Sequence, residues 1–283
     1  MGANSTNATC VVDNLQCLSY SPLFVLGFLV NAAAARAFAS KRLSWTETHI
    51  YMLNLVVADT ALVLFLPFRI YDALYCLPTT TLCTLLIFIH FINMYASIMT
   101  TMAISVHRYL TVRFPLQARS WRRKKETAVV VCLLIWVFLV TVCAAFRTEN
   151  YPEQLWTCYV RRKDHPLRLE FLLILLLVGF LVPLMIIVFC ATQIIYILSK
   201  EEDRLEEKKK TVGVVMANMI VFIVCYTPIH VGFLINFLYH APEHWQTRHI
   251  PAHMYFQVSE WVASTNCFFD SISYYFLLKQ FYS

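Results

Sequence analysis

The chain is 283 residues long, with 59% hydrophobic residues, 14% charged residues and a formal net charge of +6. Soluble domains carry about 25% charged residues, so this composition excludes an ordinary soluble globular domain. Seven continuous apolar stretches come close to or exceed the roughly 20 residues that a helix needs to cross a bilayer, and they are too long for the alternating strands of a barrel. We therefore predict an all-α bundle in lipid, with spans at Tyr20–Ala39, Ile50–Phe68, Cys83–Val106, Thr127–Ala145, Phe171–Leu198, Thr211–Tyr239 and Met254–Leu278.

The distribution of Lys and Arg predicts the orientation of the bundle. With the N-terminus outside, fifteen of the 23 basic residues fall in inner segments and seven in outer segments, as the positive-inside bias requires. No basic segment precedes the first apolar run, so we expect no cleaved signal peptide. Asn4 and Asn7 are glycosylation sequons in the segment that this count places outside. We predict one domain over residues 1–283, with 1–18 extracellular and 279–283 cytoplasmic.

The cysteines divide by their predicted position relative to the membrane. Only those outside the cell form lasting disulfides. Cys83 opens the third span at its outer end and Cys158 lies in the loop between spans four and five, so one bridge is expected to hold that loop over the bundle. Cys10, Cys17 and Cys76 remain outside as an odd set, and which two of them pair is left open. The other five lie within spans, where cysteine usually serves as a small packing residue.

Other classes of protein find little support in the sequence. An enzyme needs a paired nucleophile and base, and we find no Ser/His/Asp or HExxH arrangement. A secondary transporter usually has internal repeats, and none is evident. The charged stretch at residues 200–210 is interpreted as a solvated helical extension between spans five and six. We predict neither an enzyme nor a nucleic-acid-binding protein.

Two carboxylates interrupt the predicted spans. Ionisable residues inside a membrane are costly and usually mark function, and Asp59 lies in span two and Asp270 in span seven. Two adjacent carboxylates repel or share a proton unless a cation lies between them. Asn93, Ser97 and Asn266 can supply neutral oxygens. Two interpretations stay open: a sodium pocket, or a water-filled polar network with one acid protonated.

Several short motifs occur in one order along the chain. They are Asn31, Leu55 to Asp59, Cys83 with Cys158, His107-Arg108-Tyr109, Trp136, Pro183, Cys225-Tyr226-Thr227-Pro228 and Asp270-Ser271-Ile272-Ser273-Tyr274. Each is weak by itself, but together and in this order they resemble the class A, rhodopsin-like G-protein-coupled receptors over almost the full length. The resemblance implies a multi-pass plasma-membrane receptor, with a Cys83–Cys158 disulfide, whose partners are a heterotrimeric G protein and membrane lipids.

Longer segments narrow the branch within that family. Residues 45–55, 228–232 and 266–275 resemble the orphan-derived receptor pair that answers to kynurenic acid and to lysophosphatidylinositol. This pair lies beside the purinergic and lysophospholipid receptors. The resemblance implies that the ligand is an extracellular anionic small molecule or a lysophospholipid.

The resemblance also implies an activation switch in the middle of the bundle. Its residues are Ile98, Pro183, Phe222, Tyr226, Pro228 and Tyr274. Pro228 removes one backbone hydrogen bond and kinks span six, so that the inner half of this span can swing. Tyr226 stands where the family usually has a tryptophan. Ile98, Pro183 and Phe222 match the family's packed connector, although apolar residues at helical spacing are also ordinary core.

The chain departs from the family pattern at its predicted inner face. His107 replaces the acid that normally holds the neighbouring arginine, so Arg108 is expected to lack that partner in the coupling triplet with Tyr109. The closed, inactive state would then be held by fewer contacts. Our hypothesis is therefore raised basal signalling. Ser271 replaces the usual proline of span seven, and the ending at Ser283 predicts a short, truncated helix 8. A non-signalling scavenger or modulator receptor is the alternative.

Basic groups in the outer half suggest where an anionic ligand binds. The candidate contacts are Arg69, His90, Met94, Arg147, Arg161, Arg162, His230 and Glu260. Arginine binds phosphates and carboxylates bidentately, whereas His90 stands where amine receptors have an aspartate and so argues against a cationic amine. Anion recognition by Arg69 and internal pairing of Arg69 with Glu260 or Asp72 are equally compatible with the sequence.

One histidine cluster lies outside the family pattern. His240, His244, His249 and His253 occupy the last outer loop in two pairs, each separated by four residues. On a helix such spacing can hold zinc, and histidines also titrate near neutral pH. Exposed loop histidines usually do neither, so both interpretations stay open. The only other inorganic partner that the sequence suggests is Na⁺ inside the bundle, and no organic cofactor is expected.

Overall fold

The computed structural model describes residues 13–40, 47–117, 125–147, 155–161, 167–200, 205–238 and 251–272. Seven helices carry the fold of these residues, and their bounds follow in chain order: α1 Asn14–Ser40, α2 Glu47–Tyr75, α3 Thr81–Arg113, α4 Lys125–Ala145, α5 Leu169–Ser199, α6 Leu205–Leu238 and α7 Pro251–Ser264. Within the described ranges, α1 to α6 are long and apolar enough to cross a membrane. The helical bundle that the sequence predicts is therefore confirmed for six helices.

The helices are longer than the apolar runs that predicted them. For example, α2 continues through Arg69 and Asp72 to Tyr75, although the predicted span ends at Phe68. An apolar run indicates which residues lie in the hydrocarbon core of the bilayer. The helix itself continues beyond that core wherever its backbone hydrogen bonds are satisfied. The additional turns lie at the ends of the bundle, where the polar side chains described below are found.

The last predicted span differs from the structure in its continuity. We expected one unbroken helix over Met254–Leu278, but α7 ends at Ser264, the chain turns at Thr265 and helix resumes over 266–272. The Thr265 hydroxyl donates to the carbonyl of Val262 at 2.6 Å, a local bond that competes with helical hydrogen bonding. An apolar pattern carries no signal for such a break. Residues beyond 272 lie outside the described part of the chain.

The outward surfaces of the helices are apolar. Leu29 on α1 and Leu133, Leu134 and Val137 on α4 are each more than half exposed. Apolar patches of this extent are rare on soluble monomers and fit a hydrocarbon environment. The surface therefore agrees with the membrane assignment.

The largest cluster of buried side chains lies where α3, α5 and α6 meet. Ile98, Ile187, Phe222 and Tyr226 all belong to it, and each is almost completely buried. Helix α3 also packs against α2 and α4. The central position of α3 brings its side chains into contact with most of the bundle.

A small β-hairpin is the exception to an all-helical fold. Strand β1, Leu155–Thr157, pairs antiparallel with β2, Val160–Arg161. Cys158 in its turn is disulfide-bonded to Cys83 at the start of α3, which confirms the expected bridge. The bridge holds the hairpin against one end of the bundle, which we call the disulfide end.

The structure shows the bonding state of the remaining cysteines that lie in the described ranges. Cys76 is disulfide-bonded to a residue outside the described ranges, whereas Cys17 is a free thiol. The five cysteines predicted to pack within the spans are free thiols, and all except the half-buried Cys143 are buried: Cys132, Cys143, Cys190, Cys225 and Cys267. Cys17 is therefore the member of the odd external set that stays unpaired.

Candidate functional site

A buried arginine lies at the disulfide end, where four elements converge. The side chain of Arg69 on α2 is 3% exposed and forms an ion pair with Glu260 on α7. Its guanidinium carbon lies 4.8 Å from the ring centroid of Tyr20 on α1 and equally far from that of Tyr159 in the hairpin. Both distances are within the range of cation–π attraction. We call these four residues the Arg69 cage.

The guanidinium has donors to spare. Its Nε and Nη1 atoms are buried and have no hydrogen-bond partner among the described residues, since Glu260 is bonded to Nη2. A buried donor without a partner costs about 1–3 kcal/mol. The cage therefore holds a cation whose hydrogen-bonding capacity is only partly used, and an acceptor placed against Nε or Nη1 would recover that cost.

The sequence left two internal partners for Arg69 open, and the structure distinguishes them. Glu260 is the ion-pair partner, while an Asp72 carboxylate oxygen accepts the backbone N–H of Leu77 at 2.9 Å. Burial raises the pKa of the Tyr159 phenol to about 12, against the opposing effect of Arg69. Tyr159 is thus neutral at physiological pH, and it offers Arg69 the face of its ring rather than a second negative charge.

The other residues predicted to bind ligand lie at different depths. His90 is half-buried on α3 with its ring edge-on to Phe91, and Met94 is buried one turn further along. Arg147 is exposed just after α4. The side chain of Arg161 and all of Arg162 lie outside the described part of the chain. Arg69 and Glu260 are thus the predicted pair that the structure brings into contact.

His230 lies in the core rather than on an open surface. Its Nδ1 donates to the backbone carbonyl of Tyr226 at 2.7 Å, because a carbonyl only accepts. In the neutral ring Nε2 then accepts the hydroxyl of Tyr95 on α3, at 3.0 Å. The ring also stacks on Phe180 of α5, with centroids 4.3 Å apart. His230 therefore joins three helices, and both of its ring nitrogens are occupied within the protein.

Helix α5 is adapted to the ring of Tyr95. Its segment Ile174–Leu181 is a π-helix, and such segments often occur at functional sites. Within it, a Cβ at Gly179 would overlap the Tyr95 ring. Glycine is therefore required by the close approach of α3 and α5, and the ring rests directly on the backbone of the π-helix.

An apolar groove opens beside this contact, between α3, α4 and α5. It is narrow, and its lining includes Phe146, Phe171, Tyr95 and Gly179. Val178 on its wall is 41% exposed on the outer surface of the bundle. The groove has an apolar lining, and the ring of Tyr95 is part of it.

A polar cluster occupies the centre of the bundle. One Asp270 carboxylate oxygen accepts hydrogen bonds from Ser97 at 2.9 Å and from the Asn266 amide at 2.6 Å. One oxygen of Asp59 and the side-chain amide nitrogen of Asn93 are buried without a partner among the described residues. Carboxylate, hydroxyl and amide oxygens are the ligands of hard cations. The residues present therefore fit Na⁺, with Asp59 and Asp270 supplying the negative charge.

The predicted switch residues are close together where they are described. Ile98 and Phe222 are buried in one cluster, Pro183 is buried on α5, and the Phe222 and Tyr226 rings meet edge to face with centroids 5.2 Å apart. Pro228 lies inside α6, as predicted. Tyr274 lies outside the described part of the chain. The geometry is a continuous packed core that surrounds the proline of α6.

The far end of α3 carries the predicted coupling triplet. His107 contacts Glu47, the first residue of α2, whereas the Nη2 of Arg108 is buried with no partner in the described ranges. Tyr109 packs edge-on against Phe189 of α5. A narrow cavity, lined mainly by apolar side chains, reaches from Arg108 past Tyr226 to Asp270. This cavity connects the triplet to the polar cluster.

Some predicted sites cannot be placed. Asn4, Asn7, His240, His244 and His249, and the side chain of His253, lie outside the described part of the chain. Among the residues that are described, no group of three or more His, Cys, Asp or Glu side chains could hold a metal ion. The glycosylation and zinc interpretations stay predictions.

Sequence reasoning missed three functional neighbours. Tyr20 and Tyr159 complete the cage around Arg69, but both are far from it in sequence and from each other. Glu47 is the partner of His107, sixty positions away. A buried cation needs partners. Aromatic residues at the outer ends of neighbouring elements were therefore the feature from which the cage around Arg69 could have been predicted.

The fold and these sites define an integral membrane protein whose apolar core contains a small buried polar cluster. The family profile described as 7 transmembrane receptor (rhodopsin family) matches residues 30–274. The chain belongs to this family of G-protein-coupled receptors, so it is a multi-pass plasma-membrane receptor and not an enzyme. The resemblance inferred from the motifs is thereby confirmed.

Individual relatives agree with the predicted branch. The chain is 32% identical to G-protein coupled receptor 35 of Mus musculus and 31% identical to G-protein coupled receptor 55 of Homo sapiens. Each alignment covers 99% of this chain and 92% of the relative. Lysophosphatidic acid receptor 6 of Gallus gallus is 29% identical over 91% of this chain and 88% of its own length. The relatives thus include receptors named for a lysophospholipid.

Proposed function

We propose that this receptor binds an extracellular anionic small molecule or lysophospholipid and activates heterotrimeric G proteins. The observation that carries the proposal is the Arg69 cage, in which a buried guanidinium keeps two donors without partners. Arginine binds carboxylates and phosphates through pairs of parallel hydrogen bonds. An acidic headgroup is therefore the natural occupant beside it.

The proposal places the disulfide end outside the cell. Disulfides persist in oxidising compartments, and the Cys83–Cys158 bridge lies at the same end as the Arg69 cage. The excess of Lys and Arg in the opposite segments supports the same orientation, with the N-terminus outside and a seventh span completed beyond residue 272. A ligand then approaches Arg69 from the extracellular side.

In the free receptor, Glu260 is the anion that is bound to Arg69. It neutralises Arg69 through a single nitrogen, Nη2, and leaves Nε and Nη1 for a second anion. An incoming phosphate or carboxylate would add to the guanidinium or displace Glu260 from it. Either event changes the link between α2 and α7, because the ion pair joins these two helices.

The apolar groove supplies a site for the rest of a lipid ligand. A lysophospholipid needs an anion site and a separate hydrocarbon site, and the groove is lined almost entirely by apolar side chains, which would have to move apart to admit an acyl chain. Each buried CH₂ contributes about 0.8 kcal/mol. Relatives named as lysophosphatidic acid receptors support this ligand class. A small aromatic acid would use the anion site without the groove.

A route leads from the groove to α6. Tyr95 lines the groove, and its hydroxyl is hydrogen-bonded to His230, two residues after Pro228. A ligand that displaces the Tyr95 ring would therefore also move the segment of α6 in which Pro228 removes a backbone hydrogen bond. Ile98, Pro183 and Phe222 would repack as the inner half of α6 moves and opens a groove for a G-protein helix.

Na⁺ and the coupling triplet complete the proposed mechanism. The ion would neutralise the two carboxylates of the polar cluster. Its ligands would be Asp59, Asp270, Ser97, Asn93 and Asn266. Arg108 lies at the other end of the adjoining cavity, in reach of a bound G protein once α6 has moved. Because Arg108 lacks an acidic partner in the described ranges, we propose raised basal signalling.

Nucleotide exchange on purified G proteins tests the proposal. The parent receptor in lipid nanodiscs should accelerate exchange when lysophospholipids or small aromatic acids are added, and Arg69→Ala should abolish the response to the active compound. A non-signalling scavenger or modulator, the alternative with which the altered His107 triplet is also compatible, would bind the same compound without any exchange.

A further inference from the structure

The opposite end of the bundle holds a side-chain hydrogen bond between α2 and α3. The Nε2 of His107 lies 2.8 Å from a carboxylate oxygen of Glu47. The Glu47 side chain is 8% exposed and the His107 side chain is 27% exposed, so the contact is largely protected from solvent. Glu47 is the first residue of α2, and His107 lies near the end of α3. Their contact therefore joins these two helix ends.

The direction of the hydrogen bond follows from the partners. An ionised carboxylate only accepts, so Nε2 of His107 carries the hydrogen and donates it. Glu47 lies in the first turn of α2, where the helix dipole favours negative charge. Its side chain is therefore the acceptor that holds the end of α3.

The surroundings give the contact a fixed geometry. Tyr51 follows Glu47 by one helical turn, is buried, and lies with its ring centroid 6.2 Å from that of His107. Tyr51 belongs to a buried cluster with Phe38 of α1, Ile104 of α3 and Ala128 of α4. The first turns of α2 are thus anchored on three neighbouring helices, and Glu47 presents its carboxylate to α3 from a rigid base.

The acid at this end acts on a different residue than the family pattern implies. In that pattern an acid on α3 holds the adjacent arginine, but here the acid is on α2 and holds His107 instead. The Nη2 of Arg108 stays without a partner in the described part of the chain. Restraint of α3 therefore comes from an interhelical contact rather than from a local one.

We propose that Glu47 and His107 form a clamp between α2 and α3 that restrains the coupling end in its inactive arrangement. Glu47 is then a positioning residue for G-protein coupling, which acts on Arg108 through the helix that carries it. The inference rests on the proposed function, because it assumes that Arg108 engages a G protein. Opening the clamp frees the end of α3 and raises exchange in the absence of ligand.

Basal nucleotide exchange in nanodiscs tests the clamp. Glu47→Gln keeps an acceptor but removes its charge and should raise the basal rate about fivefold, whereas His107→Ala removes the whole bond and should raise it at least about tenfold. The double variant should rise no further than His107→Ala. The exchanged pair, Glu47→His with His107→Glu, should return to the parental rate. Glu126→Gln is the control, because Glu126 is an exposed acid in the first turn of α4. A parental basal rate in Glu47→Gln would overturn the proposal.

Thermal unfolding of the receptor alone separates failure of the clamp from failure of the proposed function. Each single substitution should lower Tm by about 2–4 °C, and the double variant should fall no further than the lower of the two. Fully additive losses would show that the residues are independent and would overturn the clamp. If every variant, including the exchanged pair, catalyses no exchange, the proposed function fails, and the unfolding cycle still decides the clamp.

Discussion

The hydroxyl of Tyr95 donates to Nε2 of His230 at 3.0 Å and so connects α3 to α6 two residues beyond Pro228. Both side chains are buried, and Nδ1 of the same ring is engaged by the Tyr226 carbonyl. The bond joins the two helices inside the largest buried cluster of the bundle. It lies between the apolar groove and the proline of α6.

Tyr95→Phe removes the donor and leaves Nε2 of His230 buried without a partner. We expect a loss of about 1–3 kcal/mol in the free energy of unfolding, because the ring keeps its packing and only the hydrogen bond is lost. Thermal unfolding in detergent measures it. Tyr196→Phe is the matched control, since Tyr196 is 55% exposed on α5. Equal stability of the two variants would contradict the inferred role of the bond.

Gly179→Ala tests the close approach of α3 and α5. The new methyl group would overlap the Tyr95 ring, so we expect about 1–3 kcal/mol of destabilisation. Gly213→Ala in α6 is the contrasting control, because nothing lies within 4 Å of the added Cβ. There the gain in helix propensity should stabilise the protein by roughly 0.5–1 kcal/mol. Opposite shifts in Tm for the two alanine variants are the predicted result.

Ser271→Ala tests a departure from the family sequence. The Ser271 hydroxyl donates to Oδ1 of Asn31 at 2.9 Å, while the amide of Asn31 donates to the carbonyl of Cys267 at 3.1 Å. Proline at 271 could not make the first bond. The alanine variant should lose about 1–2 kcal/mol of stability, because Oδ1 becomes an unsatisfied buried acceptor. Ser19→Ala, which removes an exposed hydroxyl bonded only within α1, should change Tm little.

Cysteine substitutions separate the bridged from the free thiols. Cys158→Ser opens the disulfide that holds the hairpin on α3, and loss of a native bridge typically costs about 2–5 kcal/mol. The hairpin also carries Tyr159, so the Arg69 cage should loosen and ligand-stimulated exchange should fall with stability. Cys17→Ser should leave both unchanged, because Cys17 is a free thiol. A fully active, parentally stable Cys158→Ser receptor would refute the link between hairpin and cage.

The sequence predicted the features that depend on composition and on local order. Apolar runs located six helices, and Cys83 at the outer end of the third span together with Cys158 in the loop between spans four and five located the disulfide. Pro228 was also expected inside α6, since its effect on a helix is local. These features need no knowledge of which helix faces which.

The features that escaped prediction depend on contacts between distant residues. Tyr20 and Tyr159 surround Arg69, and Glu47 meets His107, only once the helices have packed. Periodicity gives the buried side of a helix but not the identity of its neighbour. The break at Thr265 coincides with a side-chain hydrogen bond, and hydropathy carries no information about such a bond.

Ligand-stimulated nucleotide exchange in variants of the Arg69 cage tests the central claim most directly. The probes are lysophosphatidylinositol and kynurenic acid on receptor reconstituted with purified G proteins. Arg69→Ala leaves Glu260 buried alone and risks misfolding, so the decisive variant replaces both residues by methionine, which keeps the volume and removes the charges. Arg168→Ala, which alters an exposed ion pair with Glu170, is the control.

We predict that an anionic probe stimulates exchange by the parent and by Arg168→Ala, and that the double methionine variant unfolds cooperatively at or near the parental Tm but gives no response. Stimulation of the double methionine variant at the parental concentration of probe would contradict the account, because it would show that the ligand is recognised without the buried arginine.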